Sequence, residues 1–99
     1  MNEDITCAEV KSRLDSGEKF HFVDVREEWE HEEQNIGAQL IPLGDLPGRL
    51  SEIEHMKHEE LIVHCKSGGR SGRAKKFLNS QGFTNVRNME GGITAYLEL

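Results

Sequence analysis

Leu61-Ile62-Val63-His64-Cys65 runs straight into Lys66-Ser67-Gly68-Gly69-Arg70, and no other segment constrains the fold as strongly as this junction. So continuous an apolar run reads as a strand covered on both faces, in the middle of a sheet. A helical stripe at Ala74, Phe77, Leu78 and Gln81 follows, spanning about 71–80 and stopped by Gly82. Strand, tight loop and helix in that order is the repeating unit of parallel sheets, whose ligands collect at the carboxyl ends of the strands.

The rest of the chain alternates in the same way. Thr6-Cys7-Ala8-Glu9 has the form of a capping box, and Cys7, Val10 and Leu14 share one face of a first helix over about 6–16. Phe20 to Val25 reads as a strand and Glu27 to Glu33 as a short acidic helix carrying Trp29 on a solvated face. A brief strand from Ala38 to Leu43 ends at Pro42, and a helix is expected from Gly44 to about His55, turning Leu46, Leu50 and Ile53 inward. Val86 to Met89 supplies a last strand, and Gly91-Gly92 precedes a closing helix with Ile93, Tyr96 and Leu97. The expected class is α/β, a parallel sheet with helices on both faces.

At 99 residues the chain is one domain of ordinary size, roughly 100–150 residues being typical. Its 35% hydrophobic and 30% charged residues suit a folded globule. The longest apolar stretch in a strand is Leu61-Ile62-Val63, far short of the roughly 20 residues of a membrane-spanning helix. The opening Met1-Asn2-Glu3-Asp4 lacks the basic-then-apolar pattern of a secretory signal, so the cytoplasm is the expected compartment. Cys7 and Cys65 fit no disulfide framework or zinc spacing and are read as reduced thiols. A net charge of −6 argues against nucleic acid or an anionic membrane as partner. Residues 66–76 nevertheless hold Lys66, Arg70, Arg73, Lys75 and Lys76 with no acid, whereas 24–33 hold six acids and only Arg26.

Cys65, placed between a buried strand and a helix, puts its sulfur where free amide hydrogens converge and the helix dipole is positive. A free thiol ionises near about 8.5, and such surroundings bring that into the range of about 3.5–7.5. Lys66 and Arg70 are candidate cations for that shift, while Gly68 and Gly69 allow the positive φ that aims several amides at one centre. The expected object is a cup for an anion with a nucleophile at its base. The bland reading, a buried cysteine ending a strand, would win for Cys65 alone and does win for Cys7, which has neither cation nor glycine beside it. His64, next to Cys65 in the strand, should point to the opposite face and is read as packed or partly solvated. His55 and His58 lack a third metal ligand, and His21 and His31 form no pattern.

Four ordered motifs, Asp24-Val25-Arg26-Glu27, Ile36-Gly37-Ala38 with Ile41-Pro42-Leu43, Cys65 to Ser71, and Gly91-Gly92-Ile93-Thr94-Ala95-Tyr96, resemble those of a single rhodanese-like domain over nearly all of residues 1–99. The resemblance implies a three-layer domain with about five parallel strands. It also implies a thiosulfate-type sulfurtransferase whose active-site cysteine, here Cys65, carries a persulfide. Lys66, Ser67, Gly68, Gly69 and Arg70 would form the substrate-binding loop, Lys66 and Arg70 meeting a small anionic donor such as thiosulfate. A thiol or cyanide-like acceptor, or a protein donor or acceptor, would complete the reaction without metal or organic cofactor. Asp24 and Arg26 would belong to a buried polar network near the loop, their plainer reading being a structural ion pair. The alternatives are a non-turnover sulfur carrier or protein-binding module of the same fold and, further off, a cysteine phosphatase or arsenate reductase. The phosphatase signature places five residues between cysteine and arginine, and here four separate Cys65 from Arg70.

Overall fold

The computed structural model describes residues 3–99, so Met1 and Asn2 of the acidic opening lie outside the described residues. In chain order the elements are α1 (Cys7–Asp15), β1 (His21–Asp24), α2 (Glu28–Glu33), β2 (Gln39–Leu40), a run of 3-10 turns over 43–56, β3 (Leu61–His64), α3 (Gly69–Ser80), β4 (Val86–Asn88) and α4 (Gly92–Leu97). All strands are parallel, in the order β2-β1-β3-β4, with Val23 opposite Val63 and Asp24 opposite His64. The expectation of about five strands is met by four, plus one parallel bridge between Ile5 and Met89 beyond β4.

Strand alternation divides the core between the two faces of the sheet. Val23, Leu61, Val63 and Cys65 join Ala74 and Leu78 of α3 and Leu46 and Ile53 of the 3-10 run. Phe22 and Ile62 join Cys7 and Val10 of α1, with Ala95 and Tyr96 of α4 packed against them. All four residues of β3 are buried, as an apolar central strand requires. Among the described residues no helix is long and apolar enough to cross a membrane.

Three sequence expectations are corrected. The helix expected over 44–55 is instead three 3-10 segments, Leu43–Asp45, Pro47–Glu52 and Glu54–Met56, with Arg49 at non-helical φ/ψ. Pro47 offers no N–H, and Gly44 and Gly48 weaken a continuous helix. Leu46 and Ile53 are nonetheless buried, since a tighter turn still brings them to the core. The strand expected from Ala38 to Leu43 shrinks to Gln39–Leu40, although Ile41 and Leu43 still donate backbone bonds to Asp24 and Val25. Gln81 caps α3 on the exposed side and is not part of its apolar stripe.

One glycine decides how the end of β3 is covered. Gly92 has φ +63°, and a Cβ there would overlap the backbone carbonyls of Lys66 and Cys65. That close approach lets α4 donate from Ile93 N to Cys65 O at 2.9 Å and from Thr94 N to Lys66 O at 3.0 Å. Gly92→Ala therefore combines left-handed strain with a backbone collision and should cost at least about 2 kcal/mol in urea unfolding. A loss below about 0.5 kcal/mol, the scale of a neutral surface change, would show that α4 is not held this way.

Candidate active site

Cys65 leaves the end of β3 with its side chain on the α3 face and only 1% exposed. Gly68 takes φ +108° and caps α3, which starts at Gly69. This bend returns the Gly68 amide to the sulfur, 3.1 Å from Sγ. Of the two glycines expected to bend the loop, only Gly68 does so, because Gly69 already belongs to α3.

Burial works against a charged sulfur. The Ser71 hydroxyl and the amides of Ser71, Gly68 and Ser67 overturn that penalty and pull the Cys65 thiol below its ordinary ionisation range. Sequence reasoning missed Ser71, which is fully buried on the first turn of α3. Its Oγ lies 3.3 Å from Cys65 Sγ and 2.6 Å from Asn88 Oδ1, and Asn88 Nδ2 in turn donates to Gly68 O at 3.1 Å. A hydroxyl has one proton to donate, and ionisation of the thiol draws it toward sulfur, because charged acceptors make the stronger bond. The discoverable signal was a serine on the buried face of a helix, one turn beyond the cysteine loop.

The two cations proposed for the thiol behave differently. Lys66 is exposed and forms no ion pair among the described residues. It borders a cleft of about 250 Å³ between α2 and α4, along with Trp29, Ile93 and Leu97. Arg70 is turned to Glu30 of α2 in a two-pronged pair, 2.7 Å and 2.9 Å. That pairing raises the Arg70 pKa and holds the Glu30 carboxyl down to about 2. The chief donors to the sulfur are thus a hydroxyl and amides, not the expected cations. Ser67 contributes its amide, with its side chain exposed.

One strand over, Asp24 is fully buried and accepts from Arg26 N, Nε and Nη2 at 2.8–3.1 Å and from His31 Nδ1 at 2.9 Å. Burial opposes its charge, but Arg26 and His31 hold the carboxyl below the usual range. The plain reading of Asp24 and Arg26 as a structural pair therefore describes their contacts, and His31, to which no pattern was assigned, is its third member. His64 lies on the opposite face from Cys65, packed 5.1 Å from Phe22, and burial pushes its pKa down. It is fully buried, not partly solvated. Its ring cannot reach around the strand to act as base for the sulfur. Trp29 is 65% exposed, as a solvated helix face requires. His55 sits edge-on to His21 and His58 faces Thr84, so these rings serve different contacts.

The fold and the site together define a parallel α/β domain with a buried cysteine at the strand-to-helix turn beyond β3, met there by amide and hydroxyl donors. The sequence matches the rhodanese-like domain over residues 6–99, and the chain belongs to that family. It is 34% identical over 97 residues to a sulfurtransferase of Allochromatium vinosum, covering 97% of this chain and 89% of that protein. It is 33% identical over 72 residues to the thiosulfate sulfurtransferase PspE of Escherichia coli, covering 72% of this chain and 69% of that one. A rhodanese-like domain protein from Staphylococcus aureus superposes with TM-score 0.85 at 32% identity, over 97% of this chain and 91% of that one. The expected family and fold are both met.

Removing the Ser71 hydroxyl tests the electrostatics of the cup. Ser71→Ala should move the midpoint of Cys65 alkylation by iodoacetamide to higher pH, while Ser67→Ala, which keeps its amide, should leave it in place. Equal midpoints in all three proteins would remove the hydroxyl from the account.

Proposed function

We propose that this chain moves sulfane sulfur from an anionic donor such as thiosulfate to a thiol or cyanide-like acceptor through a persulfide on Cys65. The observation that carries the reading is the sulfur itself, buried at the end of β3 yet favoured as an anion by the Gly68 amide and the Ser71 hydroxyl. A thiolate formed in advance has no proton to lose and needs no general base, which suits a site where His64 is turned away.

The transfer has two steps. The Cys65 thiolate attacks the sulfane sulfur of thiosulfate; a new S–S bond forms as the bond to the sulfite sulfur breaks, and sulfite leaves with the electron pair. An acceptor thiolate then attacks the outer sulfur, and Cys65 departs as thiolate, ready for another cycle. Between the steps the outer sulfur carries the negative charge, and the loop 66–70 is where amides can meet it, as donors in an oxyanion hole meet a developing charge. In this reading Lys66, Ser67, Gly68, Gly69 and Arg70 form the substrate-binding loop, with Lys66 the cation open to solvent. A protein donor or acceptor would use the same sulfur.

Mass spectrometry after exposure to excess thiosulfate or polysulfide should show one added sulfur on Cys65. Cys65→Ser should show none and lose thiocyanate production by at least about three orders of magnitude, the scale of losing a nucleophile. Repeated thiocyanate release from donor and cyanide marks an enzyme, whereas release of a single equivalent from loaded protein marks a carrier. Wild-type protein that takes sulfur from neither donor overturns the reading.

A further inference from the structure

The loop arginine is not at the disposal of an incoming anion. Both outer nitrogens of Arg70 are engaged by the two carboxylate oxygens of Glu30, which is 11% exposed against 29% for the arginine. Glu30 is itself fixed from the other side, since its Oε1 also accepts from the Glu27 backbone N–H at 2.9 Å. Arg70 still lies within the field of Cys65, and Glu27 acts on it as well. The second arginine of this region, Arg26, is consumed by buried Asp24. Glu33 borders the same cleft as Lys66. The cleft beside the loop therefore holds Lys66 as an exposed cation together with Glu30 and Glu33, in a protein of net charge −6. A dianion entering there gains little from the loop's formal charge.

We propose that Glu30 is a specificity-determining residue: by clamping Arg70 it cancels the loop's positive charge, so that the site favours sulfane donors of lower charge, organic hydropersulfides R–S–SH and their monoanions, over dianionic thiosulfate. The inference rests on the sulfur-transfer reading above and narrows its donor class. With such a donor the Cys65 thiolate attacks the terminal sulfur; the new S–S bond forms, the R–S bond to that sulfur breaks, and R–S⁻ leaves with the electron pair. A proton carried by the donor stays on the transferred sulfur and is released to solvent when the persulfide ionises, and the ionised donor delivers the persulfide anion directly. Amide and hydroxyl donors suffice for one sulfur anion and do not depend on Arg70, so this route does not need the charge that Glu30 removes.

Glu30→Gln keeps the shape and one acceptor for Arg70 while freeing its charge. Rates of Cys65 sulfuration are compared for thiosulfate and a small hydropersulfide, cysteine hydropersulfide. The ratio of thiosulfate to hydropersulfide kcat/KM should rise about tenfold or more in Glu30→Gln, the scale of one charge meeting a dianion through partly screened solvent. It should return toward the wild-type ratio in Glu30→Gln/Arg70→Gln. A structural role alone would change both donors together and leave the ratio fixed, which overturns the proposal. A second measurement needs no variant: between roughly 0.01 M and 0.1 M salt the wild-type rate with thiosulfate should stay level or rise. A steep fall with salt would mean that a free cation attracts the dianion and would overturn the proposal on its own. Loading by both donors with an unaltered ratio defeats only this inference, whereas loading by neither defeats the sulfur-transfer reading beneath it.

Discussion

A cysteine sulfur buried at the end of an apolar strand, beside donors that favour its anion, is the condition that the rest of this molecule accommodates. Water is excluded from Cys65, so the charge must be met by hydrogen-bond donors of the chain itself. The nearest donors are those of the next few residues, and they reach the sulfur only if the chain reverses at once. Gly68 makes the reversal at φ +108°, α3 begins immediately, and Ser71 arrives on its first turn. On the other side Gly92 lets α4 sit directly on the carbonyls of Cys65 and Lys66 where the strand ends and donate to both. Loop and helix start thus answer the desolvated sulfur, and the closing helix answers the carbonyls at the strand's end.

Charge around the site is handled in pairs. Asp24 pairs with Arg26 in a buried cluster that His31 joins from the rim, and removing either charged partner, Asp24 or Arg26, would strand the other and cost about 3–5 kcal/mol. Glu30 with Arg70 lies nearer the surface and joins α2 to the start of α3. The cationic segment 66–76 so conspicuous in the sequence is thus partly engaged, with Lys66 left open to solvent. Arg70 is matched by an acid from the acidic segment 24–33, and Lys75 by Asp4. The two charge runs meet at the Glu30–Arg70 pair.

What could be read from the sequence was local. The strand–loop–helix unit at 61–80, the burial of Cys65, the outward Trp29 and the opposite facing of His64 all follow from periodicity and from glycine placement within a few residues. What escaped depended on partners distant in sequence. Arg70 reads as a cation for an anion until Glu30, 40 residues away, is seen to hold it. Ser71 looks like an ordinary helix residue until Asn88 of β4 is placed beside it. The 43–56 segment kept its buried positions but not its helix type, because Pro47 and two glycines act on backbone geometry while burial follows side-chain spacing. The fifth strand contracts to Ile5 alone, a length that no periodicity can signal.

The central claim is that Cys65 is held as a thiolate by hydroxyl and amide donors despite its burial. Titrating the native protein by the ultraviolet absorbance of the thiolate tests it directly, because the other thiol, Cys7, is pushed up by burial and titrates later. The account predicts an early step below the free-cysteine value of about 8.5 that is absent from Cys65→Ser. A first step at or above that value would mean that the buried sulfur is an ordinary thiol and would contradict the account.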